Sequence, residues 1–375
     1  MNLFPTLQKL APRANLIYSC YPAYLTKNAP SQFQNGSAGA SYYQANGGNC
    51  PDLHDVVCWQ RFTGTDPITG FAYPNAAPLF AINGGSQEGF GVYVTDQEHG
   101  LGAHPGNQTT LDATVGITND EVTVRGVAMN ALHVNHYNHF RNGYFAGEQS
   151  HFMIYRNTAA TGFADLETIC FDFYMKVPDQ SAVLSQTYKF RTIHDFKTTN
   201  DFRYAVHFIM ADATDADAFG VDAGTVGLLF TADNFAGNIT PVQEFIRVKN
   251  YNVNIPSGFY KATLYWHRST AYDDVTTGRF VYIIKDLDTG EETTVFDINP
   301  DFIAQYNIDH PLACTNNGGN PATNCVNRHM GITGNAWQRL FMLSNYHGGL
   351  ANKDVEFWLH KIDIWDDAPF DLATV

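Results

Sequence analysis

Apolar and polar residues alternate with period two along most of the second half of this chain, which is the signature of strands with two unlike faces. Leu166–Val177 (LETICFDFYMKV) sets Ile169, Phe171 and Phe173 on one face. Tyr188–His194 (YKFRTIH) alternates Lys189 and Arg191 with Tyr188, Phe190 and Thr192, and Phe202–Ala211 (FRYAVHFIMA) alternates Arg203 and His207 with Tyr204, Val206 and Phe208. Tyr260–Arg268 (YKATLYWHR) alternates Tyr265 and His267 with Leu264 and Trp266. Further strands are expected at Glu88–Thr95, Val115–Met129, Phe152–Tyr155, Gly227–Phe230, Glu244–Val248, Arg279–Asp286, Thr293–Ile298, Trp337–Ser344 and Val355–Trp365. Asp288-Thr289-Gly290 reads as a hairpin turn, and Asp301–Tyr306 as one short helix. Many short strands separated by turn signals predict an all-β antiparallel sandwich or barrel. Residues 1–80 are rich in Tyr, Asn, Gly, Pro and Gln with little periodicity, and read as an irregular N-terminal wrap; 81–375 read as the β domain.

Composition supports strands over helices. The 375 residues are 44% hydrophobic and 14% aromatic, with 27 Phe and 20 Tyr. A net charge of −15 argues against a nucleic-acid partner, which needs an excess of Lys and Arg. It leaves room for a local basic cleft, although the global field opposes a polyanion. No apolar run is long enough to span a bilayer as a helix, so no membrane partner is expected. The segment MNLFPTLQKLAPRANLIYS lacks a charged n-region followed by a long apolar core.

The six cysteines include two close pairs in loop-like sequence: Cys50 and Cys58 in CPDLHDVVC, and Cys314 and Cys325 in CTNNGGNPATNC. They read as local disulfides and imply an extracellular setting, either secreted or on a virion surface; free thiols, or a metal site without the usual CxxC spacing, are the alternatives. Cys20 and Cys170 are left over, paired or not.

If the three basic strands share a sheet, Lys189, Arg191, Arg203, His207, Tyr265 and His267 lie on one face. A cationic, proton-transferring surface on an acidic protein suits an anionic ligand. Other constellations are weaker. His133, His136 and His139 have ligand-like spacing without an acidic companion, so no metal is assigned. Asp212, Asp215, Asp217 and Asp222 leave a structural calcium open but lack the closing Glu of an EF-hand, and no other cofactor is expected.

The order of segments resembles the concanavalin A-like jelly roll of polysaccharide lyases, particularly alginate and glucuronan lyases. Three stretches carry the resemblance: GFYKATLYWHRSTAYDDVTTGRFVYIIKD from Gly258, LFMLSNYHGG from Leu340, and VEFWLHKIDIW from Val355. The jelly-roll reading extends back to about Ala146. The resemblance implies a polysaccharide lyase that cleaves a uronate-containing, marine-type glycan by β-elimination, using Lys, Arg, His and Tyr on the sheet. Such chemistry needs a cation to neutralise the uronate carboxylate, a base for the α proton and an acid for the leaving oxygen. His207, Tyr265 and His267 are the candidates for catalysis. Lys189, Arg191 and Arg203 are the candidates for binding, joined at the cleft rim by Tyr346 and His347 through the resemblance. The assignment to positions rests on alternation. A retaining glycosidase would need two carboxylates close together on one strand, and Asp363 in HKIDIW stands alone. The rival reading is a non-catalytic glycan-binding or structural virion or surface protein of the same fold.

Overall fold

The computed structural model describes residues 14–20, 90–98, 115–136, 148–156, 166–177, 190–198, 202–234, 243–253, 255, 258–269, 276–311, 330, 337–342 and 355–375. In chain order the strands are β1 (Leu16–Cys20), β2 (Phe90–Glu98), β3 (Val115–Val124), β4 (Val127–His136), β5 (Glu148–Arg156), β6 (Thr168–Lys176), β7 (Phe190–Thr198) and β8 (Phe202–Met210). Helix α1 (Ala213–Phe219) comes next, then β9 (Val226–Asn234), β10 (Gln243–Asn250), β11 (Phe259–His267), β12 (Arg279–Asp286) and β13 (Glu292–Ile298). Helix α2 (Pro300–Asp309), β14 (Trp337–Met342) and β15 (Val355–Trp365) close the chain.

The strands form an antiparallel β-sandwich of the jelly-roll kind. One sheet has eight strands in the order β13-β12-β11-β6-β15-β4-β3, with β1 added on β15. The other has seven, in the order β10-β9-β8-β7-β14-β5-β2. The N-terminal segment thus contributes one strand to the eight-stranded sheet. It is clamped there by Asp366, whose carboxylate accepts from the Asn15 backbone N–H and from its side-chain amide, each at 2.7 Å.

Aromatic side chains fill the space between the sheets. Tyr204 on β8 meets Trp266 on β11, Phe230 on β9 meets Phe280 on β12 at 4.4 Å between centroids, and Phe173 on β6 stacks on His194 of β7 at 4.6 Å. Even-numbered residues of β11 therefore point into the sandwich and odd-numbered ones away from it. Both faces of β6, β11 and β12 are buried over most of their length, so the polar positions that alternate along β6 and β11 are enclosed as well.

The outer face of the eight-stranded sheet buries charge. Asp363 stands directly across from Asp172, so it is not isolated as the sequence suggested. Lys361 pairs with Asp363 at 2.8 Å, both side chains almost fully buried. Asp172 accepts from the Thr263 hydroxyl and from the Trp365 indole N–H at 3.2 Å, with the Lys261 ammonium 3.5 Å away. Beside this network, residues 366–375 fold back over Tyr265, Cys170, Val281 and Ile283, with Ala368 buried and Phe370 edge-on to the Tyr265 ring.

Two turns differ from expectation or refine it. The single strand read over Val115–Met129 is a hairpin, because Arg125 and Gly126 both take positive φ (49° and 76°) and reverse the chain. Arg125 is held in that backbone conformation by its contacts to the other hairpin: its guanidinium donates to the Leu287 carbonyl, and its backbone N–H to the Asp288 carboxylate. The β12–β13 turn lies where Asp288-Thr289-Gly290 predicted it, with Gly290 at φ 83° and the Asp286 carboxylate accepting from the backbone N–H groups of Asp288 and Thr289.

The core generates two expected outcomes. Asp363→Ala leaves Lys361 buried without its carboxylate and is expected to cost about 3–5 kcal/mol in chemical denaturation, whereas the paired replacement Lys361→Met with Asp363→Leu should cost far less. Burial holds the His194 imidazole down to a pKa of about 3, and its Nε2 lies 3.1 Å from the Tyr282 hydroxyl. In the unfolded chain that imidazole protonates near 6.5. Its contribution to stability is therefore complete above pH 6.5 and is lost as pH falls from 6.5 toward 3, by about 1.4 kcal/mol per unit. Between pH 6.5 and 5 the wild type should lose about 2 kcal/mol more than His194→Gln, measured by denaturant titration at both pH values.

Candidate functional site

The seven-stranded sheet carries the basic register that the sequence pointed to, with a different membership. On β8 the alternation holds: Tyr204, Val206 and Phe208 are buried in the sandwich, and His207 lies on the opposite face. There its Nε2 is 2.9 Å from the Thr231 hydroxyl of β9, and both side chains are nearly buried. On β7 the alternation breaks. A bulge between Thr192 and His194 inserts a residue into the ladder with β8 and reverses the parity of the later β7 residues. His194 faces the core as a result, stacked on Phe173.

The bulge redistributes the basic positions. Arg191 stands opposite Phe208, a core residue, so its backbone position is out of register with His207. Lys197, which the sequence reading did not single out, stands opposite Arg203. Arg339 of β14 stands opposite Lys197 and, on its other side, Tyr155 of β5. Asp233 of β9 stands opposite Arg203, and Glu244 of β10 opposite Asp233. The result is one cross-strand row, Tyr155–Arg339–Lys197–Arg203–Asp233–Glu244, at the end of β8 away from His207. Residues directly opposite each other in an antiparallel ladder share a face, so three adjacent strands offer three consecutive basic positions. The signal that could have found Lys197 is the KTT continuation of the β7 run; nothing local in the sequence announces the bulge.

The expected convergence of six residues on one face is not the arrangement found. Tyr265 and His267 belong to β11 in the other sheet, on its outer side. Tyr265 is buried under the C-terminal residues, and burial, then the nearby Asp367 carboxylate, push its phenol well above the usual range. His267 is the last residue of β11, with Nε2 3.4 Å from the Glu167 carboxylate. The physical reason is connectivity. β11 pairs with β6 and β12, not with β8, so equal alternation in two strands does not make them neighbours. Lys189, Tyr346, His347 and the cysteines Cys50, Cys58, Cys314 and Cys325 lie outside the described residues.

The remaining candidates have structural employment. Asp212 caps α1 by accepting from the Asp215 backbone N–H at 2.9 Å, and Asp215 pairs with Lys249 and accepts from the Tyr251 hydroxyl. Among the described residues no three His, Cys, Asp or Glu side chains gather as a metal site. His133 and His136 stand in β4 opposite Thr118 and Val115, and His139 lies outside the described residues. Cys170 is a buried free thiol. A bridge to Cys20 is ruled out by register: Cys170 stands opposite Trp365, Cys20 opposite Ile362, an offset of about 10 Å along β15, beyond disulfide reach.

No family model matches the sequence, and no curated protein matches it. Similar folds occur among solved structures. An alginate lyase in complex with an alginate tetrasaccharide aligns at TM-score 0.34 and 11% identity over 62% of this chain and 80% of that one. A marine alginate lyase from Aplysia kurodai aligns at 0.36 and 8% over 66% and 86%. A Bacteroides ovatus mixed-linkage glucan enzyme aligns at 0.36 and 12% over 74% and 95%. Similarity at this level carries no argument about chemistry, and the fold assignment rests on the strand pairing itself.

Proposed function

We propose that this protein binds an anionic, uronate-containing polysaccharide across the seven-stranded sheet and cleaves it by β-elimination, with His207 as base. The observation that supports binding is the basic row Arg339–Lys197–Arg203 on three adjacent strands, inside a chain whose net charge is −15. Such a row suits carboxylates repeated along an extended chain, because neighbouring strands lie about 4.8 Å apart. In the reaction the imidazole takes the proton α to a carboxylate, the C–O bond at the β carbon breaks, and the leaving oxygen is protonated by the imidazolium or by water. Thr231 would orient the ring. An extracellular setting belongs to the same reading and rests on the close spacing of Cys50 with Cys58 and of Cys314 with Cys325.

A non-catalytic glycan-binding or surface protein is the second reading. It is favoured by the near-burial of His207 and by the sealing of Tyr265 on the other sheet. One assay separates the two: incubation with alginate, glucuronan, ulvan and hyaluronan, following absorbance of the unsaturated product. Turnover that falls about 10²–10⁴-fold in His207→Gln supports the lyase. Binding without product supports the second reading. Arg203→Ala is expected to weaken glycan binding, with a difference from wild type that shrinks as salt rises. Tyr265→Phe is expected to retain full turnover, because its hydroxyl is enclosed beneath the C-terminal residues; a large loss would restore it as the acid.

A further inference from the structure

A cleft of about 240 Å³ opens at the edge of the sandwich, where β10 of one sheet approaches β13 of the other. Its floor is apolar, formed by Val248, Val295 and Phe296, and one wall is the ring of Phe219 from the end of α1. Phe219 is 49% exposed, so much of its ring is open to a ligand. The ring is nevertheless fixed, edge-on to Tyr251 at 5.5 Å between centroids and with the Lys249 ammonium 5.9 Å from its centre.

The polar groups of the cleft are held in place before any ligand arrives. Asp215 pairs with the Lys249 ammonium and accepts from the Tyr251 hydroxyl at 3.1 Å. The Asn250 amide bridges the two sheets by donating to the Val295 carbonyl at 3.0 Å, and its oxygen accepts from the Asn252 backbone N–H. Gly227 lies beneath them: a Cβ there would come within 2.8 Å of Tyr251 and 2.5 Å of the Asn250 carbonyl, so only a bare backbone admits this packing. The site combines a rigid, half-bare aromatic ring with a fixed ion pair and amides at one rim. A sugar ring matches it, since its C–H face stacks on an aromatic and its hydroxyls both donate and accept.

We propose that this edge cleft is a binding site for a single neutral pyranose unit, separate from the basic row of the seven-stranded sheet. Neutrality comes from the ion pair. Lys249 is the basic residue of the lining, and its charge is already answered by Asp215 from outside the cleft, so a uronate carboxylate placed there would have to compete with Asp215 for it. The inference adds a second glycan site to the proposed function but does not depend on β-elimination.

The test uses the full chain and ligand-observed saturation-transfer NMR, with methyl glucoside, methyl galactoside and methyl mannoside as neutral probes and an alginate trisaccharide as the charged one. At least one neutral probe is expected to bind in the millimolar range. Phe219→Ala and Lys249→Ala should each raise its Kd tenfold or more, while leaving the charged probe's affinity unchanged. Arg203→Ala should do the reverse, so the two sites fail independently. Phe219 is half exposed, so its removal leaves the core intact, and an unchanged melting temperature verifies this. The proposal is overturned if no neutral probe binds at 20 mM (about twentyfold above a millimolar Kd), if Phe219→Ala binds as wild type does, or if the trisaccharide displaces the neutral probe.

Discussion

Burial of both faces of the central strands is the constraint on which this structure depends. In most sandwiches a strand has one dry face and one wet one, and the wet face tolerates any polar residue. Here β6, β11 and β12 are enclosed on both sides. The inner side is solved with aromatic rings. The outer side has to enclose Asp172, Lys261, Thr263, Lys361 and Asp363, and does so by satisfying each charge with another. A partly satisfied network would be costly at this depth, so its members depend on one another. The residues after β15 belong to the same solution, since they cover the apolar side chains next to the network.

Enclosure extends to the other sheet as well: on the face of β8 and β9 away from the core, Ala205, His207, Ile209, Leu229 and Thr231 are buried too. Among the described residues, the outer side of β6, β11 and β12 is closed by charge pairing and by the C-terminal residues. At the end of β8 away from His207, the seven-stranded sheet carries a run of ionisable positions in cross-strand register. An acidic protein can still attract a polyanion to such a row, because a local field is set by the nearest charges within about a Debye length of 8–10 Å. The row ends in two acidic positions, Asp233 on β9 and Glu244 opposite it on β10.

The edge where β10 meets β13 has a different character. Edge strands carry unpaired backbone groups and need cover. Tyr306 of α2 supplies some, its hydroxyl accepting from the Arg247 backbone N–H at 3.0 Å. Helix α1 and the Asp215–Lys249–Tyr251 cluster cover another part and leave the cleft between them. A fixed ion pair beside a half-bare ring costs little in ordering when a ligand arrives, which is the benefit of preorganisation.

The sequence alone located most of the strands, though not β1, which lies in the stretch read as an irregular wrap, nor the turn that splits Val115–Met129 into β3 and β4. Period-two alternation located β6, β8 and β11, the Asp-Thr-Gly turn located the β12–β13 hairpin, and the excess of aromatics favoured strands over helices. It also yielded Arg203 and His207 as neighbours on one strand, because alternation is a local property. Tertiary structure decided everything that depends on which strand lies beside which. β11 pairs with β6 and β12, so Tyr265 and His267 share a parity with His207 but not a sheet. The bulge after Thr192 moved Arg191 out of the basic row and brought Lys197 in, since one extra residue exchanges the two faces of a strand. The positive φ of Arg125 is likewise held by contacts to residues 287 and 288, far away in sequence. Alternation is encoded residue by residue; register and pairing are set by contacts between distant segments, and the composition of a site depends on those contacts.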